Sequence, residues 1–187
     1  MEITKTLHVT NRKDWREWLR EHYKTEKEIW LVYAKKATGK PRIEYNDAVE
    51  EALCFGWIDS TLKTLDAEHN AQRFSPRKPK SSYSPANQER LRKLLKQRKV
   101  IKEVRETLGD LLERSFEIPK DILEAIQADA EAWKHFQNFS DAYKRIRIGF
   151  IDGARDRPEE FKKRLRYFIR MTARNKQFGF GGIEKHY

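Results

Sequence analysis

Four cations near the C-terminus recur at intervals of four: Lys162, Arg166, Arg170 and Arg174. On an α-helix this spacing stacks them along one ridge, where like charges repel by roughly 0.2–0.5 kcal/mol per pair. An anionic surface would relieve the repulsion, so the ridge is a candidate for anion binding. The plainer reading is a solvated face, or a face paired with acidic residues elsewhere in the chain. Phe161, Leu165, Phe168 and Thr172 fill the neighbouring stripe and should dock the helix on a core.

A second cluster of anion-seeking chemistry lies in mid-chain. Arg73, Arg77, Lys78 and Lys80 stand beside the hydroxyls of Ser75, Ser81, Ser82 and Ser84, with Phe74 and Tyr83 on either side. Guanidinium forks, hydroxyls and the free amides of a helix start are the parts that hold a phosphate or carboxylate. No Gly-rich run leads into a Gly-Lys-Ser/Thr, so this is not a phosphate loop of known type. A polar loop packed on a sheet is the plainer alternative. Lys35 and Lys36 join the anion-binding set at the end of an apolar run, where lysines also serve to blunt a sheet edge.

Other reactive residue types carry less. Glu50, Glu51 and Asp59 could form an acid–base pair. Glu50 and Glu51, however, are neighbours on one helix and should point apart, and no spacing fixes their distance from Asp59. Cys54 is the single cysteine and sits in an apolar helical segment, so it should be buried and inert. The histidines at 8, 22, 69, 135 and 186 form no close ligand pair, which argues against a metal. Trp15, Trp18, Trp30 and Trp57 read as core. The glycine-rich Gly179-Phe180-Gly181-Gly182 could nest an anion but reads more simply as a loose end. No catalytic residue, cofactor or metal is assigned, and the reading leans towards binding rather than catalysis.

Periodicity supplies the elements that must position these residues. Thr6–Val9 reads as a short strand, and Thr10 or Asn11 can cap a helix striped by Trp15, Trp18 and Leu19. Ile29–Ala34 reads as a buried strand. Thr38-Gly39-Lys40-Pro41 is turn chemistry, with Arg42–Tyr45 expected as the returning strand. Asn46 should cap a short helix that Gly56 ends. Trp57–Leu65 alternates as a strand, Asp66–Ala71 is a polar turn, and Gln72–Ser75 returns. Ser84-Pro85 is a specific helix start for the stripe Leu91, Leu94 and Leu95. Everything beyond about residue 100 reads helical. Val104, Leu108, Leu111 and Leu112 form one stripe, and a helix from Pro119 carries Ile122, Leu123, Ile126 and Trp133. Tyr143–Ile151 follows, and Pro158 opens the last helix.

Composition bounds the rest. Charged residues reach 37%, but both signs are present and aromatics make up 12%, which supplies a core that a disordered chain would lack. The net charge of +11 is unevenly spread. Residues 1–75 carry 13 basic and 13 acidic side chains, and residues 76–105 carry 11 and 2. Residues 106–142 carry 3 and 9, and residues 143–187 carry 13 and 5. Two basic blocks therefore flank an acidic one, which either neutralises them within the fold or leaves them for an anionic partner. The longest apolar run, Ile29–Ala34, is far short of the roughly 20 residues of a transmembrane helix. The N-terminus lacks the pattern of a secretory signal. A cytoplasmic location is expected.

The run Tyr45-Asn46-Asp47-Ala48-Val49-Glu50-Glu51-Ala52-Leu53-Cys54-Phe55-Gly56-Trp57-Ile58-Asp59-Ser60 resembles the YdeI/OmpD-associated family. So does Gln72-Arg73-Phe74-Ser75-Pro76-Arg77-Lys78-Pro79-Lys80-Ser81, with Ser84 and Asn87 following. Ile118-Pro119, Phe139-Ser140 and Tyr143-Lys144-Arg145 resemble its C-terminal helical module. Tyr83 stands where the family pattern usually has tryptophan, and the helix from Glu159 extends past that pattern. The family-motif positions are Glu50, Trp57, Asp59, Phe74, Tyr83 and Asn87. The resemblance implies a role in bacteriocin protection or envelope association and supplies no reaction.

The expected fold is α+β. A small mixed sheet with helices spans residues 1–97, and a helical module spans 98–187. The expected function is a cytosolic binding protein with an anion-seeking surface, whose partner is an anionic ligand or a protein. Two alternatives stand beside it. One is an enzyme acting on a small anionic substrate near Asp59 and Arg73–Arg77. The other is a nonspecific nucleic-acid binder.

Overall fold

A computed structural model describes residues 2–79, 81–109 and 116–179. Lys80, Leu111, Leu112, His186 and the tail from Phe180 lie outside the described residues. The chain divides into two compact units, one of residues 1–82 with 90–109 and the other of residues 83–89 with 110–187.

The first unit holds a four-stranded mixed sheet of β1 (Thr6–His8), β2 (Ile29–Ala34), β3 (Trp57–Thr64) and β4 (His69–Pro76), in the order β1-β2-β4-β3. β1 runs parallel to β2, and the other pairings are antiparallel. Every residue of β2 is buried, as its β-branched and aromatic run requires. Among the described residues three α-helices lie wholly in this unit, α1 (Arg12–His22), α2 (Tyr45–Cys54) and α4 (Lys102–Leu108), with one 3-10 turn at Lys36–Thr38. α3 (Pro85–Lys96) enters it from Arg90 onward. Asn11 caps α1 by accepting from the Asp14 amide at 3.0 Å. Trp15 of α1 is fully buried, packs on Phe74 of β4 with ring centroids 5.3 Å apart, and donates its indole N–H to Ala48 O at 3.0 Å. α2 ends where Gly56 takes φ +74°, and a Cβ there would come within 3.1 Å of Val104.

Three local expectations are corrected. Residues 42–45 form no strand, because β2 is already paired on both sides by β1 and β4, and Ile43 turns into the core instead. α2 starts before Asn46, with Glu44 at the cap, and the Asn46 side-chain Oδ1 accepts from Arg90 at 2.6 Å. β4 begins at His69, inside the stretch expected to be turn. Asp66 Oδ1 accepts the amides of Glu68 and His69 at 2.7 Å each, tightening the hairpin so that pairing starts sooner.

The second unit takes the start of α3 and four further helices, α5 (Lys120–Gln127), α6 (Ala130–Gln137), α7 (Asp141–Asp152) and α8 (Pro158–Ala173). Its core joins Ile122, Ile126, Phe136, Phe139, Tyr143, Ile148, Ile151 and Phe168. Ser84 Oγ accepts from the Asn87 amide at 3.3 Å, as the Ser-Pro start predicts. The single helix expected from Pro119 through Trp133 is two helices. Asp129 accepts from the Ala132 amide at 2.9 Å and starts α6 afresh. Among the described residues no strand follows Pro76, and no helix is long and apolar enough to cross a membrane.

Candidate functional site

The carboxylates of α2 are consumed by the fold. Glu50 and Glu51 leave a helix about 100° apart, yet both bend to one guanidinium, which corrects the expectation that they diverge. Arg12 donates to Glu51, to Glu50 at 2.9 Å and to Asp47 at 2.9 Å. Arg16 donates to Glu51 at 2.5 Å and to Lys99 O at 2.8 Å, while Lys93 reaches Glu50 at 3.5 Å. Burial alone would lower the Arg12 pKa, but Glu51 and Glu50 more than reverse this and raise it. Glu50 and Glu51 are thus buried members of ion pairs shared among several cations. Cys54 is fully buried beside them, and burial first, then Glu51, pushes its thiol up to about 11.

Asp59 belongs to a different cluster. Its Oδ2 accepts the Tyr45 hydroxyl at 2.8 Å. Burial, reinforced by Asp59, raises the pKa of both Tyr33 and Tyr45, so both phenols stay neutral. The Arg42 guanidinium lies 5.7 Å from the Tyr33 ring centroid and donates to Ala34 O at 3.1 Å. Asp59 is the cross-strand partner of Phe74, the residue that Trp15 covers, so Asp59 shares the helix-covered face of the sheet. Arg73 precedes Phe74 and points to the opposite face. There it pairs with Glu28 at 2.6 and 2.8 Å. Asp59 and Arg73 therefore do not line one site, because strand alternation separates them.

The remaining mid-chain cations are variously occupied. Arg77 donates to Ser81 O, Ser81 Oγ and Ser82 O at 2.9–3.1 Å, holding its own loop in shape. Lys35 donates to Asp66 O and Ala67 O at 2.9 and 3.0 Å, tying the β3–β4 turn to the end of β2. Lys36 and Lys78 are exposed. Trp57 is buried and donates its indole N–H to Tyr23 O at 3.1 Å, and Phe74 and Asn87 are buried, with Tyr83 half-buried. These family-motif positions hold core and loop.

α8 carries a row of exposed cations, most of them without a carboxylate partner among the described residues. Phe168 and Thr172 are fully buried, and Phe161 and Leu165 pack beside them, so the apolar stripe docks as its spacing predicts. Lys162, Arg166, Arg170 and Arg174 are all exposed, with Arg174 just past the last turn as the cap residue. Lys162 is met by Glu159 at 3.1 Å. Arg166, Arg170 and Arg174 have no carboxylate partner among the described residues. No described carboxylate of the acidic stretch pairs with them, and its Asp121 pairs with Arg155 at 2.8 Å. Lys163 is exposed on the same side, outside the row of four-residue steps. Arg170 lies 5.2 Å from the ring of Tyr167, which is 41% exposed, so an aromatic borders the ridge. Among the described residues no group of three His, Cys, Asp or Glu could hold a metal.

The fold is thus α+β, with a helical unit that carries an exposed arginine ridge. The chain belongs to the family of a domain of unknown function, DUF8412, whose model matches residues 7–107, more than half of its length. Residues 115–175 match a second family, described as Bacteriocin-protection, YdeI or OmpD-Associated, so the resemblance read in the sequence holds in the C-terminal half. The motif runs at 45–60 and 72–81 fall in the first match, whereas Ile118-Pro119, Phe139-Ser140 and Tyr143-Lys144-Arg145 fall in the second. α8 lies inside the second match and is therefore part of the family pattern, not an extension of it. No curated protein and no solved structure matches the chain.

Proposed function

We propose that this chain is a binding module that takes a polyanionic partner on the arginine ridge of α8. One observation carries the reading: Arg166, Arg170 and Arg174 stand exposed at four-residue steps with no carboxylate partner among the described residues. Each step within the helix climbs about 6 Å, so the row presents regularly spaced forks that suit successive phosphates or sulfates. The docked stripe of Phe161, Leu165, Phe168 and Thr172 supports it, since a ridge on an anchored helix is ordered before binding. We place this activity in the cytoplasm. The second family's description supplies the setting of bacteriocin protection or association with OmpD, and hence of the envelope.

The test is a titration of labelled duplex DNA, single-stranded RNA and heparin with the full chain at low salt, beside the double variant Arg166→Glu/Arg170→Glu. Binding should be indifferent to base sequence, because phosphate contacts carry no base code. The variant should keep its fold and lose most of the affinity. Absence of binding to all three polyanions would refute the reading.

A further inference from the structure

Three buried donors in the first unit, Trp30 Nε1, Tyr33 Oη and Arg42 Nε, have no acceptor among the described residues, and the last two are neighbours. Tyr33 is only 5% exposed, and its hydroxyl makes no hydrogen bond among the described residues. Arg42 Nε is likewise buried without a hydrogen-bond partner among the described residues, with a Glu44 carboxylate oxygen 3.8 Å away. The two belong to one patch, since the guanidinium lies 5.7 Å from the Tyr33 ring centroid. A buried polar group without a partner is destabilising, and natural folds remove most of them. Two donors left side by side call for an acceptor from outside the chain.

The surroundings define that acceptor's chemistry. Asp59 engages one carboxylate oxygen with the Tyr45 hydroxyl, and its Oδ1 has no partner among the described residues. Asp59 and Glu44 both act electrostatically on the Tyr33 phenol, as does Arg42. Glu44 already stands 3.8 Å from Arg42 Nε, and Asp59 bears on the same phenol, so a further negative charge would be repelled. A neutral oxygen acceptor is favoured, and a neighbouring N–H on the same molecule would suit Asp59 Oδ1. A carboxamide group presents both.

We propose that Tyr33, Arg42 and Asp59 form a binding site for the amide group of a small neutral molecule. Tyr33 Oη and Arg42 Nε donate to its carbonyl oxygen, and Asp59 accepts from its nitrogen. The site is independent of the arginine ridge, so either can fail alone.

The probes are acetamide and, at matched ionic strength, sodium acetate, titrated into the full chain while the Arg42 Nε–H resonance is followed by NMR. Acetamide should move that resonance saturably and acetate should not. Tyr33→Phe should weaken acetamide binding at least tenfold. Its unliganded melting temperature should equal or exceed that of the wild type, because the change deletes an unpartnered buried hydroxyl. That stability readout separates lost binding from lost folding. Three results would overturn the proposal: no saturable response to acetamide, saturation by acetate in its place, or unchanged acetamide binding in Tyr33→Phe.

Discussion

Arg12→Met should be among the most damaging single changes in the first unit. The substitution keeps much of the aliphatic packing and deletes the group that Asp47, Glu50 and Glu51 share. The Glu50 and Glu51 side chains are only 6% and 2% exposed, so water cannot replace the guanidinium. Breaking a buried ion pair by removing one partner costs about 3–5 kcal/mol. The low end applies here, because Glu51 retains Arg16 at 2.5 Å and Glu50 retains Lys93 at 3.5 Å. We expect a loss of about 3 kcal/mol, or roughly 12–24 °C in melting temperature for a unit of about a hundred residues. Urea unfolding followed by tryptophan fluorescence reads it well, since Trp15, Trp18, Trp30 and Trp57 all lie in this unit and only Trp133 lies in the other. Adding Glu50→Gln should recover part of the loss by removing one uncompensated charge. A loss under about 1 kcal/mol, or no recovery in the double variant, would refute the reasoning.

Three further outcomes are expected. The Thr4 hydroxyl first, and Arg73 second, hold the Glu28 carboxyl below its ordinary range. Its contribution to stability is therefore complete above the unfolded value and is lost as pH falls through the depressed folded value. Glu28→Gln should flatten that acid limb in melting temperatures measured from about pH 6 down to 3. Cys54, pushed up to about 11, has about one thiol in a thousand ionised at pH 8, so native labelling should be slow and should accelerate on unfolding. Gly149→Ala should destabilise the second unit by about 1–3 kcal/mol, seen by calorimetry. Its new Cβ would stand 2.7 Å from the rigid ring of Pro85.

Local chemistry was legible in the sequence wherever it acts over one turn. Asn11, Ser84-Pro85 and Pro158 start helices as their types require, and the apolar stripe of α8 docks as its spacing predicts. The break between α5 and α6 has a local signal, an aspartate placed to cap a new first turn. Other features depend on the order of strands, which periodicity does not contain. Residues 42–45 read as a strand because their types suit one, but no edge of β2 was open to them. Asp59 and Arg73 are close along the hairpin yet on opposite faces, a consequence of register. The clamp of Arg12 on Glu50 and Glu51 spans 38 and 39 positions, and the approach of Arg42 to Tyr33 depends on a turn whose path no local rule fixes. Exposure of the ridge had a sequence signal, but the pairing of Asp121 with Arg155 across 34 positions did not.

The central claim, a polyanion held by the ridge of α8, is tested most directly by the salt dependence of duplex DNA binding. Each neutralised phosphate contributes a slope of about −0.9 in a plot of log K against log salt concentration. Contacts from Arg166, Arg170 and Arg174 therefore predict a slope of about −2.7. Arg166→Glu/Arg170→Glu should reduce its magnitude by about 1.8 at least, with an unchanged circular dichroism spectrum. A slope near zero in the wild type, or the same slope in both proteins, would contradict the account and leave the ridge a solvated face.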